Sequence, residues 1–139
     1  MPRSRANIDH LAIGPSGVAV IDAKRYSGRI AVERRGGLFR ERTEHLMVAG
    51  RDWTKLIDGV LAQAEAVREL LAGGPHAAVP VRALLCFVDG DWPWGGPLEV
   101  RGVPVLSPRR AAKLCAAGAL PAATVTEVAD ALDARLVAA

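Results

Sequence analysis

The sequence predicts a mixed α/β (α+β) domain in which helices flank a central sheet. Three observations predict it. Residues 8–24 read as two short strands around a Gly14-Pro15-Ser16-Gly17 turn, residues 53–71 carry apolar side chains at helical spacing, and residues 81–88, VRALLCFV, are a short run rich in strand formers. A chain of 139 residues is enough for one domain with one core and too short for two. The expected division is a core over about residues 7–88, then a strand and helices over about 98–138.

The first hairpin organises the rest. If Gly14 to Gly17 is the loop, Ile13 pairs with Val18, Leu11 with Val20 and Asp9 with Asp22. Side chains alternate along a strand, so Asp9, Leu11 and Ile13 share a face with Val18, Val20, Asp22 and Lys24. Two carboxylates then stand opposite each other, with Cβ atoms about 4.5–5.5 Å apart. Like charges in that position repel, and a hard divalent cation bound between the oxygens removes the repulsion. The same alternation turns His10 to the opposite face, away from this cluster, where packing or a supporting hydrogen bond suits it better than ligation.

After Lys24 the chain bends at Arg25-Tyr26-Ser27-Gly28. Residues 29–34 read as a third strand, Arg35-Gly36-Gly37 as a turn, and residues 38–43 as a fourth strand. This hairpin is rich in arginine: Arg25, Arg29, Arg34, Arg35, Arg40 and Arg42 stand against Glu33 and Glu41. Two readings fit. In one, Arg25, Arg29, Arg40 and Arg42 form a basic rim that leads phosphates towards Asp9 and Asp22, with Tyr26 as the ring that stacks on a base. In the other, the hairpin is a solvated surface held by cross-strand Arg–Glu pairs.

Residues 44–51 read as a connecting loop, with His45 isolated. Asp52 has the chemistry of an N-cap for a helix over 53–71, whose stripe is Trp53, Leu56, Ile57, Val60, Leu61, Ala64, Val67, Leu70 and Leu71. Gly73-Gly74-Pro75 stops it, and His76 in the following loop reads as exposed. Gln63 borders the stripe. The run 81–88 reads as a buried central strand. Asp89-Gly90-Asp91 and the Trp92-Pro93-Trp94 segment are loop chemistry, the two aspartates as turn residues and the two tryptophans as cover for a core edge. Residues 98–106 suggest a weaker strand or hairpin arm. Ser107-Pro108 opens a helix to about residue 117, and a last helix spans about 126–137 with Val128, Leu132, Leu136 and Val137 on its apolar face.

Composition sets limits on function. The longest apolar runs fall far short of a membrane span, and the basic N-terminus lacks the apolar stretch of a secretory signal. Cys86 and Cys115 are read as buried free thiols of a reducing cytoplasm. The net charge of +3 and a pI near 9.3 suit a polyanionic partner. No phosphate-binding loop, dinucleotide glycine fingerprint or nucleophile elbow is present, and the three histidines lack metal-ligand spacing.

The string IDHLAIGPSGVAVIDAKRYSGRI resembles the signature of the nuclease-related domain (NERD), a branch of the PD-(D/E)XK phosphodiesterase superfamily. The resemblance covers residues 7–30 and, more loosely, extends to about residue 88. It implies a restriction-endonuclease-like sheet in which Asp9 and the Asp22-Ala23-Lys24 triplet make the site. Asp9, Asp22 and the backbone carbonyl of Ala23 would hold Mg²⁺ (or Mn²⁺), which activates water and acts as a Lewis acid on the phosphoryl oxygen. Lys24 would orient the water or stabilise the transition state, and Gln63, in its Gln-Ala context, would pack near the site. Related domains begin earlier, with a helix that carries a glutamate and a first strand. The resemblance therefore implies that this chain is N-terminally truncated or that its true start lies upstream. Two functions follow: a metal-dependent nuclease acting on DNA, or a nucleic-acid-binding or regulatory module that keeps the nuclease fold without turnover.

Overall fold

The computed structural model describes residues 10–138, with side chains through residue 136. The described residues form nine strands and three helices in two mixed sheets, a mixed α/β architecture consistent with a restriction-endonuclease-like fold.

β1 (His10–Gly14) and β2 (Gly17–Lys24) form the expected hairpin, with Ile13 opposite Val18 and Leu11 opposite Val20. Pro15 and Ser16 alone make the turn. Gly17 is required there: its φ is +107°, and a Cβ would collide with the Pro80 carbonyl. β2 then pairs in parallel with β6 (Val81–Phe87), and β6 in parallel with β9 (Val103–Leu106), which closes a hairpin with β8 (Leu98–Val100). The resulting order, β1-β2-β6-β9-β8, makes β6 the central strand, as its apolar run predicts. Parallel pairing of β2 with β6 demands a crossover, and everything from residue 25 to residue 80 lies within it.

The helix of that crossover is α1 (Lys55–Leu71). Ile57, Val60, Ala64 and Val67 are fully buried in one core with Val18, Val20, Leu85 and Phe87, so α1 covers the sheet face that carries the even-numbered residues of β2. Burial of each such side chain contributes about 1.5–3 kcal/mol. The Arg68 guanidinium ties helix to sheet by donating to the Val81 carbonyl at 2.7 Å. α2 (Pro108–Ala116) covers the opposite face, where Ala19, Leu84, Cys86, Leu106 and Ala111 form a smaller cluster. Ser107 Oγ accepts from the Arg110 N–H as its N-cap. α3 (Ala122–Ala138) adds Val128 and Leu132 to the first core. Leu136 is partly exposed, and the Val137 side chain lies outside the described residues. Both cysteines are free, and burial pushes both thiols up from their usual range.

The second sheet corrects the middle of the sequence reading. β3 (Gly28–Gly37) and β4 (Arg40–Val48) are longer than expected, and the turn between them is Leu38-Phe39. Gly36 and Gly37, read as the turn, instead lie in β3 opposite a bulge: Arg35 pairs with Thr43 and Gly37 with Arg40, so Glu41 and Arg42 of β4 oppose Gly36 alone. Gly36 has φ +90°, and a Cβ there would meet the Glu41 carbonyl. Residues 44–48 are strand, because Leu46 and Val48 alternate inward and are buried. A turn at Ala49-Gly50 leads to β5 (Arg51–Asp52), and β7 (Gly90–Asp91) pairs with the start of β3, so the Asp89–Asp91 segment is partly sheet rather than loop. α3 also begins four residues earlier than its apolar face suggests.

Several further residues differ from expectation. Asp52 does not cap α1 directly. Its Oδ1 accepts from the Thr54 N–H at 2.8 Å and from the Thr54 hydroxyl at 2.5 Å, which fixes the residue that precedes the helix. His45 is not isolated, since its ring bonds Thr43 Oγ1 at 2.9 Å and Asp52 Oδ2 at 3.1 Å. His76 is mostly buried and lies 3.7 Å from the Glu127 carboxylate, whereas His10 is exposed. Trp92 packs on the core, but Trp94 is fully exposed and covers nothing.

Candidate active site

The candidate site lies at the carboxyl end of β2. Val18 and Val20 fill the core under α1, and the alternation that buries them carries Asp22 to the same side. Asp22 is the only charged residue buried among the described residues, at 5 % exposure. Lys24, two residues on and at the last strand position, brings its ammonium to 3.4 Å from Asp22 Oδ1 while its own side chain stays partly exposed. A carboxylate costs free energy to bury unless it is paired, and the local sequence supplies the pairing cation on the same face. Beyond Lys24 its carbonyl accepts from the Val88 N–H at 2.9 Å, so the strand end is held against β6. Ala23 sits between them, in register with Cys86.

The β1–β2 register is described as far as His10 opposite Ile21. Asp9 lies outside the described residues. Gln63 lies on α1, the helix that covers the sheet face carrying Asp22. Its Oε1 is buried and accepts no hydrogen bond among the described residues.

The donor set can be compared with what a hard divalent cation needs. Asp22 offers carboxylate oxygens, the ligand type such ions take, and Gln63 Oε1 is a buried oxygen acceptor left without a donor. These oxygens fit a divalent ion in kind. Among the described residues no group of three or more histidine, cysteine, aspartate or glutamate side chains converges on one point.

The expected nucleic-acid contacts divide into two places. Arg25 and Arg29 lie at the base of the β3–β4 ribbon. Arg25 is highly exposed and 3.8 Å from Asp89, and Arg29 is exposed. Arg40 and Arg42 lie instead at the far end of the ribbon, because the turn falls at Leu38-Phe39 and β4 runs back nine residues from Arg40 to Val48. They are not close to the carboxyl end of β2. Both are exposed and make no ion pair among the described residues, whereas Arg34 pairs with Glu44 at 3.5 Å and Arg35 with Glu33 at 2.9 Å. The two readings of the basic hairpin thus each hold for part of it. Tyr26 is half-buried, its ring 4.6 Å from Trp53 and 6.0 Å from Phe87, which accounts for it as a packing residue. Trp53 in turn lies beneath the cations of Arg51 and Lys55.

Sequence reasoning missed the exposed pair Leu38-Phe39 at the ribbon tip. The signal available was an apolar dipeptide between two glycines and an arginine. None of the described helices is long and apolar enough to cross a membrane. No curated protein and no solved structure matches the chain. The family model described as the nuclease-related domain matches residues 1–88, well over half the sequence. That span holds the β1–β2 hairpin, the buried Asp22 with its Lys24 partner, the ribbon, α1 and β6, and the chain belongs to the nuclease-related domain (NERD) family.

Proposed function

We propose that this chain is a metal-dependent nuclease domain that hydrolyses phosphodiester bonds in DNA. The observation that carries the reading is the buried Asp22 carboxylate with the Lys24 ammonium 3.4 Å away, on the α1 side of a sheet in a nuclease-related chain. Continuing the hairpin register by one step would set Asp9 opposite Asp22. Asp9, Asp22 and the Ala23 carbonyl would hold Mg²⁺ or Mn²⁺. When bound, that ion supplies Lewis-acid polarisation of the phosphoryl oxygen and lowers the pKa of water.

The protein's own groups do the rest. Asp22 fixes the Lys24 ammonium at the strand end, so the cation is in place before charge develops on the phosphoryl oxygens, and a preorganised cation is worth more than a solvated one. Gln63 Oε1 is a buried acceptor on the same side of the sheet, suited to orient an attacking water. Arg25 and Arg29, at the base of the ribbon, would hold flanking phosphates, with Arg40 and Arg42 contacting the backbone further along.

The test is cleavage of duplex DNA by the purified chain. Cleavage is expected with Mg²⁺ or Mn²⁺ and lost in Lys24→Ala. Cleavage that persists in excess chelator, or that survives Lys24→Ala, excludes this mechanism. Salt-dependent binding without cleavage in any divalent metal identifies a non-catalytic nucleic-acid-binding module instead.

A further inference from the structure

We infer that the β3–β4 ribbon is a DNA-engaging arm whose tip, Leu38-Phe39, wedges between neighbouring base pairs of a duplex. This rests on the nucleic-acid reading above and extends it to a contact made by neither the carboxylates nor the arginines.

The ribbon has an anchored half and a free half. At its base Ile30, Leu46 and Val48 are buried in the main core, and Glu44 accepts from the Arg101 backbone N–H at 2.8 Å. From residue 33 to residue 43 nearly every residue is exposed. At the end Leu38 is 96 % and Phe39 98 % exposed. Nothing local requires apolar residues there. The residues with positive φ in this segment are Gly36 and Gly37, so Leu38 and Phe39 serve no glycine-like turn geometry, and neither packs on the core. Turn positions ordinarily favour Gly, Asn or Asp. A leucine and a phenylalanine held in water cost solubility and mark a surface that meets a partner.

Charge says which partner. Strand alternation places Arg34 and Arg42 on the ribbon face that continues the buried Ile30, Leu46 and Val48, and the register shift beyond Thr43 turns Arg40, paired with Gly37, to the other face. Arg40 and Arg42, nearest the tip, are the two without an ion pair among the described residues. An apolar tip behind unpaired guanidinium groups suits a polyanion with an apolar interior, which describes a DNA duplex. Leucine and phenylalanine are among the side chains that DNA-bending proteins insert between base steps, and a two-stranded ribbon is of a width a groove admits. Glu33, Glu41 and Glu44 interrupt the basic run, unlike the unbroken Lys/Arg clusters that bind anionic lipid. The bulge of Glu41 and Arg42 opposite Gly36 bends the ribbon just before its tip.

The test uses the full chain, in chelator so that no cleavage occurs, with a duplex carrying 2-aminopurine. Wild-type protein should raise 2-aminopurine fluorescence on binding, as the base unstacks. Leu38→Ser combined with Phe39→Ser should abolish that rise and weaken binding about tenfold, as loss of an aromatic stack does, while the slope of binding against salt stays unchanged. Phe39→Trp should retain the rise. Both side chains are almost fully exposed, so the melting temperature should not fall in the double variant. Three results overturn the inference: salt-dependent binding without unstacking, unstacking that survives the double substitution, and an apolar tip needed for binding phosphatidylserine vesicles but not duplex. Absence of any duplex binding by wild type overturns the nucleic-acid reading along with it. Unstacking without cleavage in metal leaves the arm standing and rejects only the nuclease activity.

Discussion

Asp22→Asn tests the candidate site without relying on activity. The substitution removes one charge from a side chain that is 5 % exposed and changes little volume. Without metal, opposing effects nearly cancel. At the observed 3.4 Å the gross attraction to Lys24 is about 5 kcal/mol at an effective dielectric of ~20. Burying the carboxylate costs several kcal/mol that the amide avoids. If Asp9 stands opposite, relief of a cross-strand repulsion adds about 0.2–1 kcal/mol in favour of the variant. The expected outcome is an apo variant more stable than wild type by about that last amount. Metal reverses the order. At a hundred times its Kd an ion that binds only the folded state stabilises wild type by about 2.7 kcal/mol, and the variant should lose most of this gain. Thermal melts of both proteins in chelator and in Mg²⁺ or Mn²⁺, at fixed ionic strength, should therefore cross. Equal metal-dependent shifts in the two proteins would show that Asp22 is not a ligand. A loss of about 3–5 kcal/mol in chelator would show that the Asp22–Lys24 pair holds the fold together instead.

Further outcomes follow from the same geometry. The Asp52 carboxyl is lowered to about 2, mainly by the Thr54 hydroxyl and backbone N–H and then by His45. Its folded pKa lies below its unfolded one, so its contribution is complete above about pH 4 and disappears as pH falls towards 2. Asp52→Ala should cost about 0.5–1 kcal/mol at pH 7, a small figure because the side chain is 43 % exposed, and chemical denaturation at pH 2 should find no difference. Arg40→Ala with Arg42→Ala should flatten the slope of log binding against log salt by about 0.9 for each phosphate contact removed, and an unchanged slope places phosphates elsewhere. Phe87→Ala, at a fully buried position beneath Tyr26, should cost about 3–5 kcal/mol by urea denaturation, and a loss under 1 kcal/mol would mean that the core there collapses to fill the space.

The legible parts of this chain are those where one local pattern has one structural solution. The Gly14 to Gly17 turn between apolar runs fixed the β1–β2 register, and the α1 stripe named every residue that α1 buries. The Gly36-Gly37 pair reads as a turn because glycine at positive φ serves a strand that faces a bulge as readily as a turn, and only the partner strand distinguishes them. Residues 44–48 read as loop in the sequence because Glu44 and His45 hide the alternation of Leu46 and Val48. His45 and His76 gained partners, Asp52 and Glu127, that are distant in sequence and visible only after folding.

The Asp-x-Lys spacing was legible for a deeper reason. β2 is sandwiched between α1 and α2 and paired on both edges, so its first residues, Val18 to Val20, have no room for charge. A carboxylate and an ammonium on one face of such a strand are tolerable only together and only near its end, where the cation can reach water. Lys24 meets that condition at the last strand position, with Asp22 buried behind it. In α/β sheets the carboxyl ends of parallel strands are where ligands bind, since the chain there leaves the core. β2, β6 and β9 run parallel, and the one buried charge among the described residues lies in the carboxyl-terminal half of β2. The position of Asp22 within β2, independent of any family, therefore argues for a site. The stability crossover of Asp22→Asn is the measurement that separates a site from a buried ion pair.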